Sequence, residues 1–262
     1  MPRMTPAKQP PATFAGLRRL IATLRGPQGC PWDRVQTHQS LAPYLLEETH
    51  ETLEAVDAGD PKKLCEELGD LLFEVLIQAQ LAEEAGQFTM RDVIRGIINK
   101  LVRRHPHVFG DAIADTPDAV IEQWDDLKAQ ERAGKSTLAG IPPSLPALVQ
   151  AQAIQRRVFR AGFAFDSAEV TWEALEEELA ELREAQTQAE KRAELGYTMF
   201  TLANLARELD VDAEEALRGA SRNFTGLFRI LEGIVEERRL DLRQAPTEQK
   251  LALWEEAKAR RA

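Results

Sequence analysis

Between Tyr44 and Val75 the chain reads YLLEETHETLEAVDAGDPKKLCEELGDLLFEV, with ten acidic residues set among regularly spaced leucines and valines. Glu47, Glu48 and Glu51 form E-E-x-x-E, and Glu67 and Asp70 form E-x-x-D. On a helix, residues three apart share a face, so each motif presents a pair of carboxylates together. Burying unpaired carboxylates is costly, so either they all point into water or a cation gathers them. Converging carboxylates suit a hard divalent ion, Mg²⁺ or Mn²⁺, which takes oxygen ligands and is often shared with substrate phosphates. Glutamates at this spacing are also common on solvated helix faces. A di-iron bundle is the rival centre, because Glu47 and His50 make one E-x-x-H. That architecture wants two such motifs, and the second ends in Asp70, so His50 reads as an ordinary surface or packing residue.

These residues need two adjacent helices. The composition provides them: Ala, Leu and Glu abound, while aromatics are 6%, a balance that favours helix over sheet. Asp60-Pro61 and Thr116-Pro117 read as N-cap followed by Pro at the first helical position. Thr89 with Asp92 resembles a capping box, and Gly86 and Gly134 sit where helices should stop. The punctuation predicts helices near 13–24, 40–57, 61–85, 90–104 and 117–133. After the Pro- and Gly-rich stretch 134–146 it predicts helices near 147–160, 168–188, 190–209, 213–238 and 247–260. The short connection DAGDP makes the two acidic helices antiparallel neighbours. The fold class is all-α, built from helical bundles.

Further residues carry candidate chemistry. Lys100, Arg103 and Arg104 cluster before Pro106. They suit either a helix C-terminus or a clamp on phosphate oxygens. Trp124 and Lys128 share a face, where a base could stack or a core Trp could sit beside an exposed Lys. Trp32, in the tight loop GCPWD, is a lid or a plug.

The halves echo one another. Glu48, Glu51, Trp124 and Lys128 have counterparts 130 residues on, at Glu178, Glu181, Trp254 and Lys258, and Glu67 corresponds to Glu194 after a three-residue slip. That offset suggests two related domains of about 130 residues rather than a solenoid. The expected layout is a disordered tail over 1–12, a domain over 13–133, a linker over 134–146 and a second domain over 147–262.

Charge and cysteines exclude other classes. A net charge of −10 repels a nucleic-acid polymer, though not a cation-bridged free nucleotide. Cys30 and Cys65, without a CxxC, read as thiols of a reducing compartment. With no apolar run long enough for a membrane and no secretion signal at the start, the expected location is cytoplasmic.

Together GCPWD, LEETHE, EELGDLLFEV, KLVRRHPHVF and SLPAL closely resemble the MazG family of nucleoside triphosphate pyrophosphohydrolases. The likeness spans residues 14–262. It implies an all-α fold of two tandem MazG-like domains and a homodimer. It also implies a Mg²⁺-dependent hydrolase that cleaves NTPs or dNTPs between the α and β phosphates to NMP and pyrophosphate. The family's ligands fall on Glu48, Glu51, Glu67 and Asp70, and Glu47 falls where a residue orients or activates water. Its phosphate contacts fall on Lys100 and Arg104, and its trailing Trp and Lys on Trp124 and Lys128.

The second repeat departs from that pattern. Glu177, Glu178 and Glu181 keep the first motif, but Tyr197 stands for Asp70, Asn223 for Lys100 and Leu227 for Arg104. A phenol is a poor Mg²⁺ ligand at neutral pH. The first repeat is therefore expected to be catalytic. The second is expected to be structural, with Glu178, Glu181, Glu194, Trp254 and Lys258 as a vestigial site. Two readings compete: a non-catalytic helical dimer that binds nucleotide or protein, and a pyrophosphatase specific for one nucleotide.

Overall fold

The computed structural model describes residues 10–131, 134–163 and 168–261. The tail expected at 1–12 falls mostly on residues 1–9, outside the described residues. Every regular element among the described residues is a helix. The helices are α1 (Phe14–Arg25), α2 (Pro31–Arg34), α3 (His38–Ala58), α4 (Pro61–Glu84), α5 (Met90–Arg104), α6 (Pro106–Phe109) and α7 (Pro117–Glu131). After them come α8 (Ala147–Arg160), α9 (Ala168–Glu184), α10 (Gln188–Glu208), α11 (Ala213–Glu237) and α12 (Thr247–Arg261). Two compact units divide the chain, Met1–Lys128 and Ala129–Ala262, and residues 134–146 carry no helix.

The α3–α4 hairpin is the frame of the first unit. Gly59 closes α3 in the left-handed region at φ 63°, a conformation that costs glycine least. Asp60 then accepts hydrogen bonds from the Lys62 and Lys63 amides, starting α4 with Pro61 at its first position. Beneath the hairpin, Ile21, Leu41, Leu76 and Ile77 are almost fully buried and pack with Met90 and Phe73. Each such side chain contributes about 1.5–3 kcal/mol by leaving water. α1 packs on α4, α2 on α1, and α5 on α4.

GCPWD is not wholly a loop: residues 31–34 make one helical turn, with Pro31 at its first position. Arg25 anchors that turn. Its guanidinium donates to the Asp33 carbonyl and holds Glu84 at 2.8 Å. Pro106–Phe109 form a second short helix that the spacing did not foretell.

In the second unit α9 and α10 repeat the hairpin, with α8 on α10 and α11 packed with α12. Leu231, Ile234, Leu253 and Ala257 form its buried cluster. The sequence reading carries the helix before Thr187 on to residue 188, but α9 ends at Glu184. Thr187 instead opens α10 in a capping box with Glu190, and that reciprocal pair sets the boundary. No described helix is long and apolar enough to cross a membrane.

Candidate metal centre

α3 and α4 place the two acidic motifs face to face. Glu48 on α3 and Glu67 and Asp70 on α4 each offer a carboxylate oxygen, and these oxygens all lie within 4.8 Å of one another. Around Mg²⁺, with bonds near 2.1 Å, oxygen ligands stand about 3–4.2 Å apart. The group is thus close to the spacing that an ion would impose. Glu51 lies outside that group of three, and its charge acts on Glu67, whose carboxyl it raises. Glu47 is exposed beside Glu48, and His50 is exposed.

The electrostatics show the strain of this gathering. Burial pushes the Glu48 carboxyl above its ordinary range, and the charges of Asp70, Glu51, Glu67 and Glu47 push it further. Glu67, only 6% exposed, is raised by burial and by Glu51, with Lys63 opposing. Lys63 is committed to an ion pair with Glu54 at 3.1 Å. Clustered carboxylates of this kind favour a proton or a cation. All the donors are oxygen, and several are charged. They fit Mg²⁺ or Mn²⁺ better than a softer metal.

One acidic side chain outside both motifs feels the charge of Glu48. Glu74, on α4, is 5% exposed, and its Oε2 is buried without a hydrogen-bond partner. Its place in the apolar run LLFEV hides it, because the motif spacing ends at Asp70.

The predicted substrate contacts stand on other elements. Lys100, Arg103 and Arg104 lie on α5, with Lys100 and Arg103 exposed and Arg104 half-buried. Trp124 and Lys128 lie on α7. Lys128 Nζ stands 5.7 Å from the centre of the Trp124 ring, a cation–π contact. His105 meets the same indole edge-on at 5.0 Å, and His107 Nδ1 is 2.9 Å from Gln123 Oε1. These contacts tie α7 to the α5–α6 corner. Trp32 is 49% exposed and rests edge-on against Tyr44, so it is more cover than plug.

In the second unit Glu178, Glu181 and Glu194 likewise lie within 4.8 Å of one another. Burial, then Glu181, Glu194 and Glu177, raises the Glu178 carboxyl. Tyr197 is 60% exposed. The other counterparts make packing contacts or surface pairs. Leu227 is buried, Asn223 accepts from Arg261, and Trp254 packs on Phe224 and the core cluster. Lys258 pairs with Glu255 at 2.7 Å on its own helix.

Residues 36–109 match the MazG nucleotide pyrophosphohydrolase domain, a span that contains both acidic motifs and the α5 cations. The chain is 45% identical over 247 residues to a Thermotoga maritima protein named nucleoside triphosphate pyrophosphohydrolase/pyrophosphatase MazG. That alignment covers 94% of this chain and 95% of the relative. It is 41% identical over 251 residues to the nucleoside triphosphate pyrophosphohydrolase of Escherichia coli (strain K12), covering 92% and 95%. A similar likeness, 41% over 251 residues, holds to the protein YabN of Bacillus subtilis, of which it spans 51%.

Proposed function

The chain belongs to the MazG family, and on that footing we propose that it hydrolyses nucleoside triphosphates to monophosphate and pyrophosphate with the aid of Mg²⁺. The observation that carries this reading is the convergence of Glu48, Glu67 and Asp70 within 4.8 Å. Glu48, Glu51, Glu67 and Asp70 would hold the ion, and Mn²⁺ would also fit. When bound, a divalent cation supplies charge neutralisation for the triphosphate oxygens.

The chain's own residues do the rest. Glu47, exposed next to Glu48, orients the attacking water and accepts its proton on the carboxylate. Lys100, Arg103 and Arg104 stabilise the charge that builds on the leaving pyrophosphate. The Trp124 and Trp32 rings offer aromatic surface for the base, and Lys128 sets a cation beside Trp124. The first domain, 13–133, is catalytic. The second, 147–262, is structural, because Tyr197 and the buried Leu227 replace a ligand and a cation.

The same reading makes the protein a homodimer. α5 exposes Val93, Ile94, Ile97, Ile98, Leu101 and Val102, several near half. A contiguous apolar face of that kind calls for a partner surface, and a second copy supplies one. The free thiols of Cys30 and Cys65 suit the cytoplasm. The acidic balance, −10, disfavours a nucleic-acid polymer as partner.

The test is a panel of the eight common NTPs and dNTPs, with and without Mg²⁺, with products resolved by ion chromatography. Monophosphate and pyrophosphate in Mg²⁺ alone are expected. Diphosphate and orthophosphate, or no turnover, would overturn the proposal. Turnover of a single nucleotide would favour the specialised reading.

A further inference from the structure

Glu74 lies one turn beyond Asp70 on α4. Glu67, Asp70 and Glu74 follow the i, i+3, i+7 series, so they occupy one stripe of the helix. Glu74 is 5% exposed, and its Oε2 is buried with no hydrogen-bond partner. Among the described residues no Lys or Arg forms an ion pair with it. The charge that acts on it is that of Glu48, itself negative and a member of the oxygen group.

An unpaired buried carboxylate beside a second carboxylate is a liability to the metal-free fold. A glutamine would fill the same volume without that liability. The carboxylate makes physical sense where a positive charge arrives to offset it.

The repeat comparison points the same way. Counting from Glu67 and its counterpart Glu194, Asp70 becomes Tyr197 and Glu74 becomes Thr201. The unit that lacks the aspartate also lacks this glutamate, although it keeps Glu178, Glu181 and Glu194 close together.

We propose that Glu74 is a positioning residue of the metal centre, which presses Glu48 toward the Glu67–Asp70 side and adds its negative charge to the attraction for a divalent cation. It acts through Glu48 rather than by touching substrate. The proposal rests on the metal-centre reading above but needs no assumption about the nucleotide.

The experiment compares the full-length wild type with Glu74→Gln and Glu74→Asp. Mn²⁺ binding is measured by calorimetry without nucleotide, and thermal unfolding is followed in EDTA and in MnCl₂. Glu74→Gln should melt higher than wild type in EDTA. It should bind Mn²⁺ about 10-fold more weakly or worse, the scale of losing a group that supports a ligand. Its melting advantage should shrink or reverse in MnCl₂. Glu74→Asp, which keeps the charge, should recover most of the affinity. Equal Mn²⁺ affinity in wild type and Glu74→Gln would overturn the proposal. So would a melting difference of the same size in EDTA and in MnCl₂. If the wild type itself binds no Mn²⁺, the metal-centre reading falls with it. That result is separable from equal binding by both proteins.

Discussion

Glu48 on α3 and Asp70 on α4 bring carboxylate oxygens within 4.8 Å of each other across the hairpin. Two like charges held this close, one of them half-buried, work against the fold unless something positive lies between them. The carboxyls of Glu48, Glu67 and Glu74 are all raised, chiefly by burial, from an ordinary value of 4.5.

That direction fixes the sign of a pH effect. A carboxyl raised in the folded state binds its proton more tightly there than in the unfolded chain. Its stabilising contribution is fully present below about pH 4.5 and is lost as pH rises through the folded value. In EDTA, Glu48→Gln should therefore be more stable than wild type at pH 7, with the advantage gone below about pH 4.5. Denaturant melts across that range measure it, and a Glu48→Gln protein weaker than wild type at pH 7 would contradict it.

Glu84 should show the opposite slope. Hydrogen bonds from Arg25 hold its carboxyl below the ordinary range. The contribution is present above about pH 4.5 and fades as pH falls through the depressed folded value. Glu84 is 37% exposed at the side chain, so solvent screens the pair. Glu84→Gln should cost about 0.5–1 kcal/mol at pH 7 and nothing in strong acid. Because Arg25 also holds the Asp33 carbonyl, the Trp32 fluorescence of this variant should shift with the loosened α2 turn.

Two isoleucines in the first unit should behave differently. Ile77, 1% exposed within the core, should cost about 2–5 kcal/mol as Ile77→Ala, seen as a lower denaturation midpoint. Ile98, 52% exposed on α5, should leave the monomer folded as Ile98→Asp but halve the mass found by light scattering. A wild type that is already monomeric would remove the dimer from the account.

Much of this architecture is legible in the sequence because it is written in local chemistry. Asp60-Pro61, the Thr89–Asp92 box and Gly86 each fix a helix end through contacts within a few residues. The pairing of the acidic motifs follows from the two-residue turn at Gly59 and Asp60. The short helices α2 and α6 were not legible, because four residues hold no periodicity and Arg25 supplies the tertiary hold on α2. Glu74 was not legible either. Its burial depends on packing that an E-x-x-D spacing does not encode. The packing of Trp254 on the second core likewise appears only once α11 and α12 pack together.

On the proposed reading, the acids of the first hairpin hold the ion against which a triphosphate is cleaved. Pyrophosphate release in Mg²⁺ by wild type, Asp70→Asn and Glu178→Gln tests it most directly. Asp70→Asn should lose activity by two orders of magnitude or more, of the size expected when a group acting in the transition state is removed. Glu178→Gln should stay close to wild type. An active Asp70→Asn beside an inactive Glu178→Gln would move the chemistry to the second unit and contradict the account.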